Sequence, residues 1–467
     1  MVHFLEDIKK CGSKIAYRIL DGDKSYNISY EQYYAQVGIC AYNIEQLVGD
    51  ISGKRIAAYC DSSYEYMVLM GALIFSRAVL VPVNYYESQD NILYEISNSG
   101  ADFVITDNGK IYNEDLSVPL ITLSEVIGER GGIKELCDFS AEEKDSDLFI
   151  IYTSGTTGKS KGVVLSVGNM FGFQKTIVDE YAPIDVSSHI DAYVNFPFYH
   201  IAGITAWAAL MEMGGTMYIS RNPRNVLFDL ENENIDCAAV TPATLNLWKK
   251  AIARGHMERL GHAKLILTAG AAPDINSIEA LLNKGVMYGQ FYGMTETCGN
   301  ITCNYDCKNH LKSVGRTVPN TEVFFIDGEL CIKSPTIMKY YHNNDVETSK
   351  TVIDGALHTG DLGYIDEDGY IYITGRKKNL IILSGGENVS PEELENELYK
   401  CEFIHECKVY AEGDRICTRI YADEDKKDLV AAYIADLNKR LPIFKRIYKK
   451  DIQSEPLEKT GSGKIKR

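Results

Sequence analysis

Residues Ile150–Leu165 read IIYTSGTTGKSKGVVL, and the fold is decided by how this stretch is understood. An apolar strand pattern, Leu148–Thr153, runs into Thr153-Ser154-Gly155-Thr156-Thr157-Gly158-Lys159-Ser160-Lys161-Gly162. Glycines let a backbone turn successive N–H groups toward one anion. The hydroxyls of Thr153, Ser154, Thr156, Thr157 and Ser160 and the ammonium groups of Lys159 and Lys161 add donors and positive charge. This is chemistry for a polyphosphate. The stretch approaches the P-loop pattern: Gly158-Lys159-Ser160 fits its end, but Thr153 stands where the first glycine belongs. A strand, Val163–Leu165, follows at once, where a P-loop needs a helix to aim its dipole. A P-loop kinase or ATPase, which would release ADP, is therefore the weaker reading. A plain Ser/Thr/Gly turn is rarely so dense in donors.

Outward from this loop the chain alternates strands and helices. Upstream come strand Arg55–Cys60, an apolar helix Ser62–Ser76, strand Val79–Val83, helix Ser88–Ser99 and strand Asp102–Thr106. Downstream come strand Ala192–Phe196, helix Ile201–Met213 and strands Thr216–Ser220 and Cys237–Val240. Helix Pro242–Ala253, strand Lys264–Thr268, helix Ile275–Asn283 and strand Val286–Phe291 follow. Strand–helix–strand at this spacing predicts parallel sheet. After about Thr321 the texture changes. Short strands Glu322–Asp327, Glu329–Lys333 and Tyr370–Thr374 meet at turns such as Asp327-Gly328 and Asp368-Gly369, predicting antiparallel, barrel-like structure. Beyond Arg376–Asn379 lies a small α+β pattern. It comprises strand Leu380–Ser384, helix Pro391–Tyr399 opened by a Ser390/Glu393 capping box, strands His405–Tyr410 and Thr418–Tyr421, and helix Lys427–Lys439.

Composition limits what such a chain does. Its 467 residues carry a formal net charge of −17, which argues against a broad nucleic-acid or anionic-membrane partner. A local basic cluster can still hold an anionic substrate. The longest apolar run, Tyr66–Phe75, is too short to span a bilayer, and the polar, acidic start MVHFLED resembles no signal peptide. Twelve scattered cysteines without a CxxC pair fit reduced thiols in a cytoplasmic protein. Cys298, Cys303, Cys307 and His310 lack usual zinc spacing and are read as ordinary buried residues.

Six further motifs accompany the loop: FPFYHIAG (Phe196–Gly203), AGAAP (Ala269–Pro273), QFYGMTE (Gln290–Glu296), HTGD (His358–Asp361), GRKKNLIILSGGEN (Gly375–Asn388) and PLEKTGSGKIKR (Pro456–Arg467). In these motifs and their order the chain resembles the adenylate-forming, AMP-binding enzymes, in their acyl- and aryl-CoA synthetase branch. The resemblance covers nearly the whole chain. It implies an α/β fold: a large N-terminal domain of parallel α/β sheets with a small barrel-like β subdomain, then a small mobile α+β C-terminal domain. On this reading residues 1–377 form the AMP-binding domain and residues 378–467 the small one. The implied reaction has two halves. A carboxylate attacks the α-phosphate of MgATP, giving acyl-AMP and pyrophosphate; a thiol then displaces AMP. Both halves build negative charge in an enclosed site, which calls for donors, cations and a metal.

The resemblance assigns roles residue by residue. Thr153, Ser154, Gly155, Thr156, Thr157 and Lys161 hold the β- and γ-phosphates. Gly270, Ala271 and Ala272 lie along the adenine, with Gln290, Phe291 and Tyr292 around it. Thr295 donates to the α-phosphate, and Glu296 holds Mg²⁺. Asp361 accepts from the ribose hydroxyls and Arg376 donates to them. His200 lies beside the substrate carboxylate, although a histidine before an apolar helix is more often structural. Lys464 contacts carboxylate and phosphate oxygens during adenylation. Lys378 is the hinge, and Ser384, Gly385 and Gly386 approach a pantetheine arm. The acceptor is CoA or a carrier-protein phosphopantetheine.

This chain departs from the family pattern in places. Ser160 replaces a usual proline, and Lys339-Tyr340-Tyr341 replaces a glycine-tyrosine pair. Ile382 stands where some relatives carry a basic residue, and the stretch between Ala411 and Tyr421 looks trimmed. Tyr199–Gly203 offers no carboxylate for an α-ammonium, so the expected substrate is a small carboxylic acid without an α-amino group. SGGEN and MTET resemble ligases for aryl, succinylbenzoyl and medium-chain acids.

Overall fold

The computed structural model describes all residues except 1–2, 108–110, 112, 129–130, 154–158, 172–188, 223–224, 271–274, 386, 460–464 and 467. The chain divides into two compact units, Met1–Glu322 with Lys333–Gly355, and Val323–Ile332 with Ala356–Arg467.

The first unit holds two large sheets. One has nine strands, ordered Arg316–Thr317, Gly299–Asn304, Met287–Met294, Leu265–Thr268, Cys237–Val240, Asp191–Val194, Thr216–Ser220, Ile15–Asp21 and Lys24–Ser29. Its middle strands are parallel, and antiparallel pairs close both edges. The other has seven strands, ordered Tyr340–Tyr341, Lys161–Ser166, Asp147–Thr153, Val79–Pro82, Arg55–Tyr59, Phe103–Thr106 and Leu120–Thr122. Again the parallel run ends in an antiparallel hairpin, Asp147–Thr153 with Lys161–Ser166.

Burial explains why these segments fold as they do. Helix Tyr64–Phe75 buries nearly every side chain, and strands Val79–Pro82 and Phe103–Thr106 bury all of theirs. Each fully buried Leu, Ile or Phe contributes about 1.5–3 kcal/mol. Trp207 and Trp248 are wholly buried, and the Trp207 indole N–H donates to the Tyr17 hydroxyl at 3.1 Å. No helix among the described residues is long and apolar enough to cross a membrane.

Several elements lie outside the pattern expected from sequence. Helices Phe4–Cys11 and Tyr30–Val48 and the hairpin Ile15–Asp21/Lys24–Ser29 build the N-terminus. Strand Ala356–Ile365 carries the HTGD motif, and strand Ile447–Gln453 completes the last sheet.

The second unit opens with strands Glu322–Ile326 and Glu329–Lys333, turned at Asp327-Gly328 with φ of 49° and 77°. Glu329–Lys333 pairs antiparallel with Ala356–Ile365, which pairs with Ile371–Arg376. A three-stranded sheet follows, Glu406–Glu412, Arg415–Tyr421 and Ile447–Gln453, with helices Pro391–Leu398 and Lys427–Arg440. Leu394, Leu398, Ile416, Ile420, Val430 and Ile434 form its dry core. The segment that looks trimmed is a hairpin whose Glu412↔Arg415 pair leaves only Gly413-Asp414 to turn.

Two expectations need correction. Ser390 caps its helix by accepting from the Glu393 N–H at 3.3 Å, but the reciprocal half of a capping box is absent from the helix start. The Glu393 carboxylate instead binds Lys445 at 2.7 Å, a charged partner that outcompetes a backbone N–H. The expected strand Leu380–Ser384 shrinks to Ile381–Ile382, because Ser384 turns away to bind Asp414.

Candidate active site

In open α/β sheets, ligands gather at the carboxyl ends of parallel strands. The first-unit motifs lie there. Thr153 ends its strand and pairs across the hairpin with Lys161, whose carbonyl accepts from the Thr153 hydroxyl at 3.5 Å. Asp191–Val194 leads into FPFYH, and Leu265–Thr268 leads to Gly270, whose φ of 87° favours glycine.

The QFYGMTE segment forms an antiparallel hairpin with Gly299–Asn304. Gly293 is required there, since a Cβ would meet the Gly299 carbonyl oxygen at 1.9 Å. Gln290 is buried; Phe291 and Tyr292 are half-buried, and Phe291 packs edge-on to Tyr305 at 5.8 Å. The hairpin ends in a short turn, Thr295–Thr297. Thr297, which sequence reasoning passed over, locks it. Its hydroxyl donates to the Gly299 carbonyl at 2.7 Å and accepts from the Met294 N–H at 3.0 Å.

That turn delivers Glu296, only 7% exposed, to Tyr341, whose hydroxyl donates to the carboxylate at 2.7 Å. Burial, and then the Glu296 charge, push the Tyr341 hydroxyl far above its ordinary pKa, so it remains a donor. Lys161 lies over the same ring, 5.2 Å from its centre, and pairs with Glu347. The loop lysine and the motif carboxylate thus converge on one tyrosine. A carboxylate this buried, with a neutral hydroxyl as its hydrogen-bond partner, has the donor chemistry that a hard divalent cation completes. Tyr341 and Glu347 lie outside the motif roles; Tyr341 stood out in the sequence only as a departure.

His200 is half-buried, precedes helix Ile201–Met213, and its ring lies tilted against that of Tyr199, with centres 4.9 Å apart. Cys298, Cys303 and Cys307 are buried, and burial pushes each thiol up to about 12. Among the described residues no group of three or more His, Cys, Asp or Glu could hold a metal ion.

In the second unit, strand register joins the two residues assigned to the ribose. Asp361 and Arg376 are direct cross-strand partners. Arg376 Nε reaches Asp361 Oδ1 at 2.5 Å and Nη2 donates to Oδ2 at 3.3 Å. Thr359, two residues earlier on the same strand, anchors Asp361, accepting its N–H at 3.0 Å and donating to the Leu330 carbonyl at 2.8 Å. Glu329 sits behind them, bound by Lys377 at 2.8 Å and the Gly360 N–H at 2.9 Å. Burial opposes its ionisation, but these contacts hold its carboxyl below the usual range.

Lys378 is exposed in the short turn Lys377–Asn379. Two bonds connect the strand and turn on its flanks to the next helix: Ser390 Oγ to the Thr374 carbonyl at 2.8 Å, and Asn379 to Glu392 at 2.6 Å. Ser384 donates through its N–H and its hydroxyl to Asp414, at 2.8 and 2.9 Å. A Cβ on Gly385 would meet the Glu387 carboxylate at 2.3 Å. Ile382 beside them is 73% exposed. Ser154, Gly155, Thr156, Thr157, Ala271, Ala272, Gly386 and Lys464 lie outside the described residues.

The phosphate loop, the buried Glu296 and the Asp361–Arg376 pair are the groups expected of an enzyme that uses ATP and forms AMP. The family model of the AMP-binding enzyme matches residues 4–342, and the chain belongs to that family. A 2-succinylbenzoate–CoA ligase of Bacillus cytotoxicus is 29% identical over 393 residues, 78% of this chain and 76% of that protein. The o-succinylbenzoate CoA synthetase of Bacillus subtilis, solved with its acyl-adenylate intermediate, matches at a TM-score of 0.87. It is 23% identical, and the match covers 100% of this chain and 97% of that one. ATP-bound MatB from Rhodopseudomonas palustris matches at 0.85 with 25% identity, over 100% and 97% of the two chains.

Proposed function

We propose that the acid is small, lacks an α-amino group, and is passed from AMP to CoA to give an acyl-CoA thioester. One observation carries the reading: Lys161 and Glu296 meet at Tyr341. That convergence brings a phosphate-binding cation beside a metal-binding carboxylate, as MgATP chemistry demands. Magnesium bound at Glu296 would neutralise charge on the phosphates. Tyr341 holds one Glu296 oxygen, which fixes where the carboxylate points. Thr295 donates to the α-phosphate. Asp361 takes the ribose hydroxyls while Arg376 sets its orientation. Lys464 supplies charge during adenylation, and His200 sits by the acid.

Aryl acids are the first to test, because ligases 29% identical to this chain are named for 2-succinylbenzoate. The hinge at Lys378 belongs to the same proposal, as does a cytoplasmic setting in which the twelve thiols stay reduced. A domain boundary at residues 377–378 does so too. The hinge requires the Ser390–Thr374 bond, which spans it, to open on rotation. The second reading keeps the adenylation half and replaces CoA by a carrier protein.

The test is ATP–pyrophosphate exchange over a panel of acids, repeated with CoA and with a phosphopantetheinylated carrier. Exchange with an aryl acid and thioester formation with CoA are expected. Exchange only with α-amino acids, or release of ADP, overturns the reading; thioester on the carrier alone selects the second.

A further inference from the structure

The helix Gln89–Ser99 belongs to no motif, yet it touches both limbs of the phosphate loop. Before the loop, the Tyr152 hydroxyl donates to Asn98 Oδ1 at 2.7 Å. After it, Lys159 lies over the Tyr94 ring at 4.8 Å and the Ser160 hydroxyl donates to Glu95 Oε1 at 2.9 Å. Tyr94, Glu95 and Asn98 fall within one turn of helix, so a single rigid element holds the loop's entry and exit.

Glu95 is the unusual member. It is 4% exposed, in a place where an apolar side chain would pack at less cost. Ser160, its partner, is a position at which this chain departs from the family's usual proline. Proline fixes φ and stiffens a loop by itself. Serine does not, and here the stiffness comes from a hydrogen bond to the neighbouring helix.

We propose that Glu95 is a positioning residue for polyphosphate binding, acting through Ser160 to hold the exit limb of the loop. This rests on the reading of that loop as an ATP site. Burial, relieved in part by Ser160 and reinforced by Glu87, pushes the Glu95 carboxyl up to about 8. The other ionisable group that faces it is Tyr152, on the strand before the loop. At neutral pH the carboxyl is mostly protonated and brings no negative charge near the phosphates. As pH rises through about 8 it ionises, and a second anion then stands behind a site built for anions.

The full-length protein is titrated calorimetrically with MgATP and with AMP at pH 7 and pH 9. AMP lacks the β- and γ-phosphates and reports on the rest of the site. Ser160→Ala and Glu95→Leu should each weaken MgATP about tenfold at pH 7, the size of one lost hydrogen bond, and leave AMP within about twofold. Glu95→Gln keeps a carbonyl acceptor and should bind MgATP like wild type at pH 7. Wild type should weaken toward MgATP at pH 9, and Glu95→Gln should not. If Glu95→Leu does not fold, Ser160→Ala and Glu95→Gln decide the matter. MgATP affinity unchanged in Ser160→Ala and Glu95→Leu, or MgATP and AMP weakened alike, overturns the role of Glu95. Wild type that binds no MgATP overturns the proposed function itself.

Discussion

Lys161 and Glu296 reach their common neighbour by a different route from the one that joins Asp361 to Arg376. In the second unit the two functional residues hold each other. They face across adjacent antiparallel strands, and the register brings them together. In the first unit the functional residues are held by others. Glu296 accepts from Tyr341, Lys161 pairs with Glu347, and Ser160 donates to Glu95. A self-paired site needs only its strands. A site held by third parties needs side chains that no motif records, and it can be tuned through them without touching the chemistry.

The two arrangements predict different mutational behaviour. The largest loss should come from the first unit. Glu296→Ala removes a preorganised ligand aimed at developing charge, and pyrophosphate exchange should fall by about 10²–10³-fold. Circular dichroism should show a folded protein. Normal exchange at low magnesium would take the metal away from Glu296.

Next comes the self-paired site. Asp361→Ala should raise the ATP requirement far more than that for the acid, since each lost charge-assisted hydrogen bond costs about 1.5–3 kcal/mol. Because Arg376 contacts the same carboxylate, Arg376→Ala on top of Asp361→Ala should add little. Additive losses would mean that the two residues act separately, and the contrast between the units would fail. Equal weakening toward both substrates would indicate a folding defect.

Tyr341→Phe tests dependence on a third party. It keeps the ring under Lys161 and removes the donor to Glu296, so exchange should fall about fivefold, near one net hydrogen bond, with a higher magnesium requirement. An unchanged magnesium dependence would show that Glu296 needs no such support.

The same contrast governs what could be seen in the sequence. Boundaries were legible to the residue in helix Ile201–Met213, an apolar run ended by Gly214, in helix Pro242–Ala253, opened by Thr241-Pro242, and in the buried strand Cys237–Val240. Helix Tyr30–Val48 carries its apolar face on tyrosines mixed with polar residues, and its period is blurred. Strand Ala356–Ile365 contains two glycines and an aspartate, residues that favour turns, and only pairing on both sides makes it a strand. Strand Ile447–Gln453 exposes charged side chains and is held as a parallel edge. Asp361, Arg376, Lys161 and Glu296 entered the candidate site because motifs carry them. Tyr341, Glu347 and Glu95 did not, since each acts through a partner distant in the chain and no local spacing announces it.

Glu347 gives the smallest effect and the finest discrimination. Its carboxylate pairs with Lys161, and both side chains are partly exposed, about a quarter to a third. Pairs of this kind contribute about 0.2–1 kcal/mol. On the proposed reading the β- and γ-phosphates compete with Glu347 for the same ammonium. Glu347→Gln relieves that competition, while the Tyr341 ring keeps the lysine in place. The ATP KM should therefore fall, by about two- to fivefold from the free energy of such a pair, with little change in kcat. The gain should shrink as salt is raised, because screening weakens the wild-type pair as well. A rise in ATP KM would mean that Glu347 orients Lys161 toward the nucleotide instead of withholding it, making Glu347 a support of the same kind as Tyr341.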